Sequence, residues 1–130
     1  MTSFVSHTTI DATDAYALSQ WWKQVLGYVD IPGDPNEPGH EECMIRDPAG
    51  RHHLLFIEVP DARSVKNRLH LDLRPWDRHR DAEVERLVGI GARILGDFRE
   101  PNGGGWVTLA DPEGNEFCVL RSEEERAQQD

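Results

Sequence analysis

The sequence predicts an α+β fold: two βαβββ modules that share an eight-stranded, cupped mixed sheet with helices on its outer face. Three observations predict it. The chain repeats its own landmarks: His7 is followed seven residues later by Asp14, and His70 seven residues later by Asp77. Asp47-Pro48-Ala49-Gly50 comes 40 residues after His7, and Asp111-Pro112-Glu113-Gly114 comes 41 residues after His70, so the register holds at a shift of 63 to 64 residues. Four landmarks in the same order mark an internal duplication. Each half also holds one stretch of helical period among several that alternate. Finally, 130 residues suit one domain with a core of its own.

The elements follow in order. VSHTTID (5–11) alternates and is rich in β-branched residues, which predicts a strand. Asp14 is placed to cap the helix behind it, Leu18, Trp22, Val25 and Leu26 form its apolar stripe, and Gly27 ends it. Strands are expected near 28–31, 42–46 and 53–59. The second half opens with RLHLDLR (68–74) and continues into a helix over roughly 79–90, with Val84, Leu87 and Val88 as the buried stripe and Gly91 as the stop. Strands near 92–98, 105–110 and 116–120 complete it, with the DPxG segments as turns between the last two strands of each half. The modules run about 4–60 and 66–121, and the charged tail 122–130 opens with Ser122 and Glu125 at capping-box spacing.

Two loops rich in Gly and Pro, DIPGDPNEPGHE (30–41) and REPNGGG (99–105), join the second and third strands of each half. They read either as mobile hairpin loops or as lids over a shared site. REPNGGG is not a phosphate loop, because no helix N-terminus follows it.

Charge narrows the partners. The net charge of −10 disfavours nucleic acid and anionic membrane, both of which require a basic face. A cation, a metal or a neutral small molecule suits it better. No apolar run reaches the roughly 20 residues of a membrane span, and the N-terminus lacks a signal-peptide pattern. Two cysteines, Cys43 and Cys118, are too few for a disulfide framework, so a cytoplasmic location is expected.

Strand parity sorts the faces. Thr8, Ile10, Leu55, Ile57, Val59, Val107, Leu109, Phe117 and Val119 are assigned to the helix-covered face. The opposite face then carries His7, Asp11, His52, Phe56, Glu58, His70, Asp72, Trp106, Glu116 and Cys118. Polar groups converging among aromatic walls are the usual make-up of a small-molecule site.

HTTIDATDAYALSQWWKQVLGY (7–28), LLFIEVPDARSVKNRLHLDLRP (54–75) and GWVTLADPEGNEFCVL (105–120) resemble the vicinal oxygen chelate superfamily, and within it the small glyoxalase-like branch. The resemblance spans nearly the whole chain. It implies paired βαβββ modules around a cup, where enzymatic members hold a divalent metal and other members bind drugs without one. It also implies metal ligands at His7 and His70, in the opening strand of each module. The position usually held by a carboxylate after the DPxGN turn is Cys118 here, with Glu116 two residues earlier. Glu58 resembles the glutamate ligand of glyoxalases. The candidate metal ligands are therefore His7, His70, Glu58 and Cys118, with Glu58 and Glu116 as catalytic groups. From their place on the cup face, Phe56 and Trp106 are candidates to stack on a flat substrate, and Asp72 and Asp11 are candidate substrate contacts able to transfer a proton.

A His₂Cys or His₂Glu set suits Zn, and Ni, Mn or Fe are alternatives. The function is then that of a metal-dependent lyase, isomerase or dioxygenase. The alternative is a metal-free, bleomycin-resistance-like binding protein. The bland readings stay open: Cys118 as a small packed hydrophobe, Asp11 and Asp72 as solvated carboxylates, and Phe56 and Trp106 as filler. Lys66-Asn67-Arg68 reads either as an anchor for an anionic ligand tail or as a solvated linker. The superfamily's habit of pairing modules across chains implies a homodimer, with Trp21 at the interface if Trp22 faces the core.

Overall fold

The computed structural model describes residues 2–61 and 65–129; the last residue of the expected tail, Asp130, lies outside them. Among the described residues the chain forms β1 (Thr8–Ala12), α1 (Ala15–Leu26), β2 (Val29–Asp30), β3 (Glu42–Arg46) and β4 (His53–Glu58). It continues with β5 (Leu71–Leu73), α2 (Arg80–Gly89), β6 (Arg93–Asp97), β7 (Val107–Ala110), β8 (Glu116–Val119) and α3 (Glu123–Gln129). The βαβββ order therefore occurs twice. The chain divides into two compact units, Met1–Ala62 and Arg63–Asp130. Each unit carries its own four-stranded mixed sheet, ordered β1-β4-β3-β2 and β5-β8-β7-β6. In both, the first strand pairs in parallel with the last and the other pairs are antiparallel.

In the first unit Asp14 caps α1 by accepting a hydrogen bond from Ala17 N at 3.0 Å. Gly27 ends the helix in the left-handed region, at φ 69°, where its missing Cβ removes the steric cost. Leu18, Trp22 and Val25 are buried as the periodicity predicts, but Trp21 is buried too. The two indoles meet edge to face, with centroids 5.3 Å apart. Trp21 is thus not the free surface that an interface residue would be.

The second unit departs from the repeat at its helix. Asp77, the counterpart of Asp14, caps nothing; His79 holds the cap position without a side-chain bond. The first turn of α2 is closed from elsewhere: Glu125 of α3 accepts from Arg80 N at 2.7 Å. Glu125 also completes the expected capping box, accepting from Ser122 N at 2.9 Å while Ser122 Oγ accepts from Glu125 N at 3.1 Å. Val84 and Leu87 of α2 are buried as expected, but the stripe extends one turn back through Arg80 and Glu83, and Val88 is exposed.

The face assignment of β4 requires correction. Leu54 and Phe56 are fully buried. They pair with Thr8 and Ile10 of β1, on the side that α1 covers. Leu55 and Ile57 lie on the other side, and His53, not His52, shares their parity. The cause is one extra residue in the first DPxG turn. Asp47 N bonds to His52 O, five residues on, whereas Asp111 N bonds to Asn115 O, four residues on. The strand after the first turn is therefore in register with β8 at a shift of 63, not 64. Leu55, not Leu54, is the counterpart of Cys118. A slip of one residue exchanges every side chain between the two faces of a strand.

Candidate functional site

The site is built on the face of the second sheet that α2 does not cover. Phe117 and Val119 of β8 are buried with α2 packed over that strand, so strand alternation turns Glu116 and Cys118 to the other side. Asp72 of β5 is the register partner of Cys118 on one flank, and Thr108 of β7 is its partner on the other. Thr108 Oγ1 lies 3.4 Å from Cys118 Sγ. His70, just before β5, brings Nε2 to 3.4 Å from Asp72 Oδ1. The ligand atoms of His70, Asp72 and Cys118 all fall within 4.8 Å of one another.

Around this group is a cavity of about 470 Å³, lined mainly by apolar surface. Phe98, after β6, and Trp106, before β7, stack along one wall with centroids 5.1 Å apart and planes 25° from parallel. They flank the same loop, closed by Phe98 N donating to Trp106 O at 2.9 Å. On the rim, Lys66 Nζ meets Glu116 Oε2 at 2.7 Å. Asn67 Oδ1 accepts from Glu116 N at 3.0 Å and ties the segment before β5 to the start of β8.

The electrostatics tell against Cys118 as a free nucleophile. Burial pushes its thiol pKa up; the Thr108 hydrogen bond pulls it back, the neighbouring Asp72 carboxylate adds to the rise, and Lys66 opposes it more weakly. Reactive cysteines need the opposite, an electropositive setting that favours thiolate. As metal donors, imidazole, carboxylate and thiolate together suit a borderline divalent cation such as zinc. Their 4.8 Å spread exceeds the roughly 3.5 Å between donors around a tetrahedral zinc. The exposed His70 and Asp72 side chains have the freedom to draw in, so the set fits such an ion.

The residues singled out from the sequence fall into two groups. His70, Asp72, Trp106, Glu116 and Cys118 all line the second unit's cavity. His7, Asp11, Phe56 and Glu58 belong to the first unit. His7 is exposed, with Nδ1 3.0 Å from Ser6 Oγ. Asp11 and Glu58 are exposed as well. Phe56 is sealed beneath α1 and has no surface to offer a ligand. Phe98 and Thr108 were missed as site residues. Phe98 was detectable as the aromatic facing Trp106 across a hairpin loop. The basic island resolves at Lys66, which lies on the rim.

The duplicated βαβββ order, with a four-stranded mixed sheet in each unit, is the organisation of the vicinal oxygen chelate class. The model of the glyoxalase-like domain matches residues 7–120, and the chain belongs to that family. No curated protein matches it. Among solved structures, the chain is similar to a mutant of the fosfomycin resistance protein FosX from Listeria monocytogenes, complexed with Mn(II) and 1S,2S-dihydroxypropylphosphonic acid. The two share 17% identity over 99% of this chain and 98% of that one, with a TM-score of 0.71. It is also similar to a glyoxalase/bleomycin resistance protein/dioxygenase family enzyme from Burkholderia phytofirmans PsJN, at 19% identity over 88% and 94% of the two chains and a TM-score of 0.64. FosX from Mesorhizobium loti gives 17% identity over 98% and 99%, with a TM-score of 0.64. At these identities the likeness is one of fold. No helix among the described residues is long and apolar enough to cross a membrane.

Proposed function

We propose that the protein binds a small molecule in the cavity of its second unit. The flat or apolar part of the ligand lies against Phe98 and Trp106, and a polar group points to His70, Asp72 and Cys118. The observation that carries this reading is the cavity itself, about 470 Å³ with a stacked aromatic wall opposite a convergent polar cluster. Its size falls within the roughly 300–1,000 Å³ of small-molecule sites. A thermal-shift screen of aromatic and polar metabolites tests it, with Trp106→Ala as control. Hits that stabilise the parent and not Trp106→Ala are expected. Hits indifferent to Trp106→Ala would place binding elsewhere.

The donor group favours a more specific reading, in which a divalent metal sits on His70, Asp72 and Cys118. Such an ion would polarise an oxygen of the ligand, as a lyase, isomerase or dioxygenase of small molecules requires. In that reading Glu116 is the proton-transfer group, and it must first leave Lys66. Without metal, the same cavity serves a binding protein of the bleomycin-resistance kind. Elemental analysis after loading with Zn, Ni, Mn or Fe(II) separates the two. About one ion per chain, lost in His70→Ala and Cys118→Ser, is expected for the first. His7→Ala and Glu58→Gln, measured alongside, decide whether the first unit supplies donors. We further infer a cytoplasmic homodimer; sedimentation at twice the 14.8 kDa chain mass is expected, and a monomer at micromolar concentration removes that inference.

A further inference from the structure

We propose that Arg80 is the positioning residue of the cavity's aromatic wall. The proposal rests on the reading of that cavity as a ligand site. Arg80 opens α2 and is 5% exposed, unusual for a guanidinium. Its Nη1 donates to three successive carbonyl oxygens of the glycine loop: Gly103 at 3.2 Å, Gly104 at 2.9 Å and Gly105 at 3.2 Å. Residues 103–105 run directly into Trp106, and the loop's other end is Phe98.

The loop needs such a clamp. Carbonyls of adjacent residues normally diverge. Here Gly103 and Gly105 sit at φ 90° and 80°, which turns their carbonyls toward one cation. A Cβ on Gly105 would lie 1.9 Å from Phe98 O, so the two arms of the loop pass at backbone contact. Inside the loop, Glu100 N donates to Gly104 O at 3.0 Å and Gly103 N to Glu100 O at 2.9 Å. Arg99 bonds to Asp97 at 2.7 Å and reaches Asp81 of α2 at 3.1 Å, a second tie to the same helix. The backbone of Arg80 is fixed in turn by Glu125 at 2.7 Å. A continuous set of contacts therefore leads from α3 through Arg80 to the Phe98–Trp106 stack. Arg80 uses two nitrogens of its planar fork, Nη1 on the loop and Nε on Asp81 Oδ1 of its own helix at 3.4 Å, and the single nitrogen of lysine cannot hold both at that spacing. Arg80 touches no atom inside the cavity; it determines where the indole stands.

The test uses the full chain with Trp76→Phe. That change removes the 94%-exposed indole and leaves Trp106 as the accessible tryptophan, because Trp21 and Trp22 are buried. Acrylamide quenching then reports on the wall directly, and anilinonaphthalene sulfonate, an aromatic anion, is the binding probe. Arg80→Met is expected to raise the quenching constant about twofold and weaken the dye about tenfold, the loss of an ordered aromatic contact. Arg80→Lys is expected to fall between the two. Unchanged quenching and dye affinity alongside a lowered Tm would make Arg80 a structural residue only and overturn the proposal. If Arg80→Met does not fold, unchanged quenching in Arg80→Lys overturns it equally. Failure of the cavity reading looks different: the parent takes up no dye, or Trp106→Ala takes it up equally, while quenching still reports on Arg80.

Discussion

Asp111 is 1% exposed, and its carboxylate accepts three hydrogen bonds from its own turn. Oδ1 accepts from Glu113 N at 2.9 Å and Asn115 N at 3.0 Å, and Oδ2 accepts from Asn115 Nδ2 at 3.0 Å. Bonds to a charged acceptor contribute more than neutral ones, and removing the acceptor takes the partner from three half-buried donors. Asp111→Ala is therefore expected to lower the unfolding free energy by about 2–4 kcal/mol, read by urea denaturation. A loss below about 0.5 kcal/mol, the range of ordinary surface changes, would refute that account. Its counterpart Asp47 serves the longer turn. Burial works against its ionisation, but the amides of Arg51 and His52 and the charge of Arg51 outweigh it and hold the carboxyl below its usual range. The DPxG motif exposed both aspartates to sequence reasoning, because an Asp that caps its own turn leaves a fixed pattern. Phe98 left only a weak one, an aromatic facing Trp106 across a hairpin loop. Arg80 left none, because its role comes from a helix start meeting a distant loop, which no local spacing encodes.

At the scale of elements, β6 and α2 are joined by a charged link, Asp97–Arg99–Asp81. The Arg99 guanidinium, together with the Arg99 amide, pushes the Asp97 carboxyl down to about 2 from 3.8. Asp81 is held low as well: burial opposes ionisation, but hydrogen bonds from Arg99 and Arg80 outweigh it. A carboxyl with a depressed folded pKa stabilises the fold above its unfolded pKa, and that contribution disappears as pH falls through the folded value. For Asp97 the window runs from 3.8 down to about 2. Asp97→Asn is expected to be less stable than the parent at about pH 6 and to lose less stability across that window. Urea midpoints that fall in parallel for both proteins would sink the idea. The caps separate the two helices as well: Asp14→Ala should cost about 1 kcal/mol, whereas Asp77→Ala should cost nothing measurable, since Asp77 caps nothing. Helix and strand order was legible because hydrophobic period survives in both halves. The face of β4 was not, because the landmarks bracket the turn containing the extra residue and do not say on which side of it the count changes.

At the scale of the whole molecule, the duplication carried the fold, while the chemistry divided unequally between the copies. Where β8 places Cys118 beside Asp72, the register counterparts in the first unit are Leu55 and Thr9. Among the described residues only the second copy collects three ligating atoms, and a repeat read as symmetric cannot show that. The net charge of −10 complicates the test of this group. Any divalent cation is drawn to an acidic surface and relieves its self-repulsion, so stabilisation by metal alone proves little. A specific site must discriminate by donor type. A thiolate beside an imidazole favours Zn(II), whereas Mg(II) and Mn(II) prefer all-oxygen shells. Zinc at about a hundredfold over its Kd should add about 2.7 kcal/mol, about 5–10 °C in Tm for a chain of this size. Mg(II) at the same concentration should give only the small, salt-like increment. Cys118→Ser should bring the zinc shift down to the magnesium level, and sodium chloride at matched ionic strength should remove what is left in both. Equal shifts with zinc and magnesium, or a zinc shift untouched by Cys118→Ser, would assign the effect to overall charge. The cavity would then stand as a metal-free binding site.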